Sequence, residues 1–402
     1  MRLLLCFSSL TDLVGAVLAR RRSTAQLVAV ACLLGAAPQT LAIPVTGWVT
    51  GAKGVIAHTN DGGATPWNSQ TSGVSVELPR ADAVDTLNAW AVGEQGTIVH
   101  TGDGGATWVT QTNVLPALTS SDVLRGVDFI DANSGWAVGR RLGGPPIGVI
   151  ARTTDGGSSW TSQTIGTDES IVDVDFHPGS TTGWLVGGEI AGSASIIRKT
   201  TDGNNWSAPV VLPAPIATGI LDGVDFVDLL TGWAVGEGGK IIKTTDGGAT
   251  WNAQVSGTTG SLSAVTFLDS QTGWATAILG GEILRTTDGG SNWSIVNVNP
   301  SYALRDIAFV DANNGWAVGA DLTNFPISVN SVLLHSNDGG GTWTTQSTLP
   351  ANLELLSGLA VVPGGVPEPG TCLLLAMGVS GIALSRMRGR SSTFVFFDPP
   401  FS

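Results

Sequence analysis

The chain is predicted to be all-β: one seven-bladed propeller of four-stranded antiparallel blades, closed by a C-terminal strand that completes the first blade. Three observations predict it. The 14 tryptophans form seven pairs with none left over. The first members are Trp48, Trp90, Trp136, Trp184, Trp233, Trp274 and Trp316, spaced 42, 46, 48, 49, 41 and 42 residues apart. The second members, Trp67, Trp108, Trp160, Trp206, Trp251, Trp293 and Trp343, each follow an Asp-Gly turn. A period of about 40–50 residues marks one supersecondary unit copied in tandem, and four short strands fit within it.

Each repeat then reads strand by strand. Strand A is Leu-x-x-Val-x-Phe, as in Leu124–Phe129, with counterparts at 172–176, 221–226, 262–267 and 304–309. Its alternation marks a half-buried strand. A turn rich in Asp, Asn and Gly follows, such as Asp131–Gly135. Strand B is Trp-Ala-Val-Gly or close to it. Strand C is rich in Ile and Leu and runs into Thr-x-Asp-Gly. Strand D starts at the second tryptophan and is polar, which suits an outermost position. The first repeat has no strand A before Gly47-Trp48, whereas 355–362 reads as a spare one after the last repeat. Pairing these two ends would close the ring and remove its open edges.

The ends read as addressing segments around the propeller at 43–362. Arg20–Arg22, the apolar run Leu27–Ala36 and Thr40-Leu41-Ala42 have the anatomy of a signal peptide over 1–42. The segment 363–402 contains Pro367, Glu368 and Pro369, an apolar run from Cys372 to Leu384, then Arg386, Arg388 and Arg390. That run is shorter than the ~20 residues of an ordinary spanning helix. All three cysteines fall in the end segments, so 43–365 can hold no disulfide and no thiol ligand. The same stretch has 12 Lys and Arg against 29 Asp and Glu, a net charge of −17. Such an acidic surface argues against nucleic acid as a partner.

The turn aspartates are Asp61, Asp103, Asp155, Asp202, Asp246, Asp288 and Asp338. Asp and Gly suit a tight turn through local side-chain-to-backbone hydrogen bonds, so all seven are read as structural. Pro66 adds a residue in the first copy, and the copy ending at Trp206 is one short. The box Thr-x-Asp-Gly-Gly-x-Thr-Trp resembles the Asp-box or BNR repeat of sialidases, sortilin-like receptors and xyloglucanases. The whole unit, Gly232–Gly236 with Ile241–Trp251 and its counterparts, is most similar to the photosystem II stability/assembly factor family. That resemblance implies a non-catalytic scaffold that holds a membrane-protein precursor on the exported side of a membrane. The tail resembles the PEP-CTERM sorting signal, which implies processing at Pro-Glu-Pro by an exosortase-type enzyme and an envelope or extracellular destination.

Residues for chemistry are sparse. Between 43 and 365 there are one tyrosine, Tyr302, and eight arginines, and the arginine motif Phe-Arg-Ile-Pro of sialidases is absent. No cofactor or metal motif stands out, and no carboxylate pair is singled out for glycoside hydrolysis. Three residues before each turn Asp stands a basic residue or His: His58, His100, Arg152, Lys199, Lys243, Arg285 and His335. They should form a ring near the turns, bonded to an acid of a neighbouring blade such as Asp131 or Asp311, or binding an anion. The B–C loops are lengthened at 140–147, 188–195 and 320–331. Insertions on one face mark a binding surface, so Arg140, Arg141 and Phe325 are candidate partner contacts, and the resemblance to the assembly factors, whose propeller carries an arginine-rich partner-binding patch, adds Arg152 to them. The expected protein is a monomeric, exported binding scaffold. Its partner is a membrane-protein precursor, another envelope protein or exopolysaccharide. The alternative is a glycan-binding propeller or weak glycoside hydrolase.

Overall fold

Alternating apolar strands broken by Asp-Gly turns fold as the repeat predicts. A computed structural model of the chain describes residues 44–111, 122–142, 147–189, 194–325, 328–346, 349–350 and 355–364. The expected signal segment 1–42 and the expected sorting motif Pro367–Pro369 lie outside the described residues. Seven antiparallel sheets follow one another with strand order A-B-C-D. Strands A pack against one another from blade to blade and line a central channel, and strands D lie outermost. Blade 3 is representative: strand A is Val123–Phe129, B is Gly135–Arg141, C is Ile147–Thr153 and D is Thr161–Thr167.

The ring closes as expected. Leu356–Pro363 pairs antiparallel with Val45–Gly51, placing Trp48 opposite Ala360. This C-terminal strand is strand A of blade 1, and its sheet continues through Val55–Thr59 and Asn68–Thr71. Two details depart from the repeat pattern. Blade 2 has a strand A, Arg80–Ala83, that the apolar pattern did not reveal because it lacks the terminal Phe. Blade 4 has three regular strands, and its fourth is reduced to a Thr200–Trp206 bridge. Pro209, Pro213 and Pro215 follow that bridge, and proline lacks the N–H that a ladder needs.

The blades are glued by a relay of three residues. Phe129 of strand A lies flat on Trp90 of the preceding blade, with ring centroids 3.6 Å apart. It also meets Trp160 of its own blade edge-on at 6.0 Å. The same pair of contacts recurs at Phe176, Phe226, Phe267 and Phe309. Offset-stacked and edge-on pairs are both favourable for aromatic quadrupoles. In blades 3 to 7 the glycine before the strand-B tryptophan makes room for the Phe ring. A Cβ on Gly135 would stand 2.3 Å from Phe129, and one on Gly232 would stand 2.5 Å from Phe226. The indole N–H then reaches into the next blade. Trp136 donates to the Gly203 carbonyl at 2.9 Å, Trp184 to Gly247 at 3.0 Å and Trp274 to Gly339 at 2.9 Å. Trp316 donates to Gly62 at 3.2 Å, carrying the relay across the closure.

Candidate functional site

The Asp turns are self-contained. In the second copy the Thr101 hydroxyl donates to Asp103 at 2.8 Å and accepts the Gly105 N–H at 2.7 Å. The other carboxylate oxygen accepts the Thr107 hydroxyl at 2.6 Å. These bonds hold the Asp103, Asp246 and Asp338 carboxyls down at about 2, well below the ordinary carboxylate range. Asp61, Asp155 and Asp288 make equivalent bonds. Pro66 falls after the Asp61–Thr65 bonds and leaves them intact. In the short fourth copy, Asp202 accepts the N–H groups of Asn204 and Asn205 instead. With their oxygens committed to the turn, these aspartates are structural staples of each blade.

The basic ring exists on the Asp-box face, but its partners differ from those expected. Each member lies across the strand from its own blade's first tryptophan. Lys199, Lys243 and Arg152 stand over Trp184, Trp233 and Trp136 at 5.0, 4.8 and 5.4 Å. His100 stacks on Trp90 at 4.6 Å. Lys199 and Lys243 donate to the next blade's turn through the carbonyls of Gly247 and Gly289, at 2.9 and 3.0 Å. Asp131 and Asp311, the acids proposed as partners, instead cap their own A–B turns. A lysine over an indole gains from the ring quadrupole, and a carbonyl of the adjacent turn lies within its reach.

The lengthened hairpins are on the opposite face, as expected, and the four partner candidates separate there. Arg140 and Arg141 belong to strand B of blade 3 rather than to its loop, paired with Gly148 and Ile147. Successive strand residues point to opposite faces of a sheet. Arg141 accordingly turns to Asp122, at 3.4 Å, while Arg140 turns to the channel. Arg152 sits at the far end of the same sheet, over Trp136 and hydrogen-bonded to Asn204, and does not join them. Phe325, at the tip of the blade 7 hairpin, is 67% exposed.

The site that the sequence reading missed is the channel mouth on this B–C face. It is a cavity of about 450 Å³. In strand A of blades 3 to 7 the register slips by one residue after the leading apolar residue, between Leu124 and Gly126 for example. Such a bulge leaves one residue out of the ladder and re-aims its side chain. The bulged residues are Arg125, Val172, Asp222, Ser263 and Arg305, and all five line the mouth, with Pro79 and Ser357 at the corresponding positions of blades 2 and 1. The signal was present in the sequence as the first x of Leu-x-x-Val-x-Phe. At that position the five blades carry Arg, Val, Asp, Ser and Arg behind an apolar residue that is Leu or Ile throughout.

Charge in the mouth is uneven. Arg80 is spent on Asp306 at 3.0 Å, and Glu77 accepts the Ser357 hydroxyl at 3.0 Å. Arg125, Arg140 and Arg305 have neither an ion pair nor a side-chain acceptor among the described residues, and the Arg140 Nε is buried without a partner. Burial, then the like charge of Arg140, and further that of Arg305, disfavour the Arg125 cation, with Asp222 and Glu77 offsetting. Burial and the neighbouring Glu237 push the Asp222 carboxyl up to about 6. Further along strand A, Asp82, Asp128, Asp175 and Asp225 share one repeat position, each opposite its blade's strand-B tryptophan. Each accepts the backbone N–H of the next blade's Phe at 2.5–2.9 Å. Burial raises all four, Asp82 to about 6 and Asp225 to about 7. Among the described residues no three His, Cys, Asp or Glu side chains are grouped to hold a metal ion.

This geometry defines a BNR/Asp-box propeller with a basic channel mouth. The sequence pattern of the family described as photosynthesis system II assembly factor YCF48 matches residues 209–302, which span blades 5 and 6. The chain is similar to the structure of YCF48 bound to D1 peptide, at 24% identity and TM-score 0.51, covering 70% of this chain and 89% of that one. It is also similar to YCF48 from Cyanidioschyzon merolae, at 22% identity and TM-score 0.49, covering 67% and 84%. A GH74 xyloglucanase from Xanthomonas campestris shares 14% identity and TM-score 0.50, covering 67% of this chain and 45% of that one. No curated protein matches the sequence. At these identities the structural likenesses speak for the propeller fold.

Proposed function

We propose that the protein is an exported, non-catalytic scaffold that holds a polypeptide segment of another envelope protein on its B–C face. One observation carries the reading. That face alone joins the lengthened hairpins to a channel mouth in which Arg125, Arg140 and Arg305 have no acceptor of their own. Around it project Leu142, Leu279 and Phe325, which are 43%, 61% and 67% exposed. Apolar exposure by itself does not choose the face, because Leu87 and Leu230 project from A–B turns on the other side. Unpaired guanidinium groups next to apolar anchors do, since arginine and aromatic residues dominate the energetic centres of interfaces.

The similar propeller that carries a D1 peptide supports a polypeptide as the partner. In a phototrophic host that partner would be a photosystem II subunit precursor. The signal-like segment 1–42 and the Pro367–Pro369 tail support export followed by exosortase-type processing. The test is capture from envelope extract by the immobilised protein, beside an Arg140→Ala/Phe325→Ala variant. A membrane polypeptide retained by the first and lost by the second is the expected result. Glycan retained equally by both would transfer the protein to the exopolysaccharide reading, and sugar release from oligosaccharides would overturn the non-catalytic assignment.

A further inference from the structure

We propose that the channel mouth is a binding site for a small multivalent oxyanion, held by the guanidinium groups of Arg125, Arg140 and Arg305. The argument starts from the cost of the arrangement. A chain with a net charge of −13 has many carboxylates with which to neutralise an arginine. Here three arginines from blades 3 and 7 face one cavity without such a partner. Arg125 and Arg305 reach it because the bulge in strand A turns them out of the ladder. Arg140 reaches it from the end of strand B with its Nε already buried and unbonded. A buried donor without an acceptor is costly, and like charges brought together add to that cost. An oxyanion relieves both at once, and guanidinium groups suit it because their planar donor forks match sulfate, phosphate and carboxylate oxygens. A cavity of about 450 Å³ has room for such a group.

Asp222 makes the site sensitive to acidity. It lines the same cavity from blade 5, facing Glu237 of its own blade, Arg80 of blade 2, Arg125 of blade 3 and Asp173 of blade 4. Glu77 and Glu94 also line the mouth. As pH rises through about 6, Asp222 becomes an anion beside Arg125. There it competes for the guanidinium and repels the ligand, so binding weakens. Asp173, also raised to about 6 by burial, acts in the same direction from deeper in the channel.

The experiment is calorimetric titration with sulfate at about pH 5 and about pH 7.5, at constant ionic strength, because exposed charges are screened by salt. Sulfate stays doubly charged over that range, so any pH dependence belongs to the protein. The full chain should bind it more tightly at the lower pH. Arg125→Gln and Arg305→Gln should each weaken binding about tenfold, as expected on losing one charge-assisted contact. Arg152→Gln, on the opposite face, should bind like the parent. Asp222→Asn should tighten binding at the higher pH and remove most of the pH difference. Near-UV circular dichroism of the tryptophan pairs confirms that each variant is folded. A second arm replaces sulfate with glucose 6-sulfate. That ester carries one negative charge fewer than sulfate, so weaker binding identifies the ligand as a free dianion, and equal or tighter binding identifies it as the anionic group of a larger molecule. Absence of binding at millimolar sulfate, or folded Arg125→Gln and Arg305→Gln variants that bind like the parent, would overturn the proposal. The inference stands beside the polypeptide reading: polypeptide capture that sulfate does not displace would leave that reading intact while separating the partner surface from the anion site.

Discussion

Five of the seven blade junctions and the two at the closure solve the same packing problem differently. From blade 2 through blade 7 each junction stacks a Phe on the preceding blade's tryptophan, at 3.5–3.6 Å between centroids. At the closure the Phe position is Val361, and at the next junction it is Ala83. Among the described aromatic side chains Trp316 and Trp48 meet only the rings of His335 and His58, at 4.7 and 5.0 Å. The Trp48 N–H is buried without a partner, where five other junctions and the closure have an indole-to-glycine bond. Where the Phe is lost, the demand for glycine beneath it relaxes. Blade 2 has Ala89 where other blades have Gly. The closure region is held by other means: the paired C-terminal strand, Thr50 donating to the Leu78 carbonyl at 2.8 Å, and Arg80 reaching across the channel to Asp306. Repetition therefore supplies the regular junctions, and chain pairing substitutes for it where the ring must join.

The largest way to break this comparison is to remove the closing strand. Deleting Leu356–Pro363 should lower the melting temperature by about 10 °C or more, because two edges open and the apolar face of blade 1 is uncovered. An unchanged melting curve would refute closure by pairing. Next comes Phe226→Ala, expected to cost about 3–5 kcal/mol. Val361→Ala at the closure should cost about 1 kcal/mol on the methyl groups removed. Equal costs in urea unfolding would show that the stack adds nothing to burial.

The regular region also contains Asp82, Asp128, Asp175 and Asp225, so its stability should depend on pH. Their folded pKa values lie above the unfolded value of about 3.8, so the charged fold is penalised. Stability should fall as pH rises from about 4 to about 7, by about 1.4 kcal/mol for each unit by which a pKa is raised. The Asp-box carboxyls at about 2 act oppositely, and their contribution is lost as pH drops below about 4. Asp225→Asn should flatten the neutral-side slope in denaturant titrations across pH. A slope that persists in full would place its origin elsewhere.

A smaller effect sharpens the glycine argument. Ala83→Phe alone should destabilise by about 1–3 kcal/mol through collision with Ala89. Ala83→Phe with Ala89→Gly should recover that loss and add about 0.5–1 kcal/mol by stacking on Trp48. Additivity of the two substitutions would contradict the coupling. The smallest effect is Lys243→Met, expected to cost about 0.5–1 kcal/mol for the contact with Trp233 and to leave the channel mouth unchanged.

What could be read from the sequence was what is local. The Asp boxes are legible because Thr101, Asp103 and Thr107 satisfy one another within one turn. The blade count is legible because that turn repeats with its tryptophan. The placement of Arg141 against Asp122, and the separation of Arg152 from Arg140, were not legible, because both follow from strand register and not from spacing. The basic ring was visible as a pattern, yet its acceptors are carbonyls supplied by the adjacent blade.

The propeller, its seven repeats, the self-satisfied turns and the spare strand that closes the ring could all be read along the chain, since each depends on residues within one repeat or on an obvious missing piece. Which side chains meet depends on the packing of blade against blade. Phe129 finds Trp90 39 residues earlier in the chain, and Trp316 finds Gly62 254 residues away. Arg125 and Arg305 share a cavity because a one-residue slip in two separate blades turns both toward the axis. Periodicity encodes which face of a strand is buried, whereas a bulge and a ring closure decide what that face looks upon.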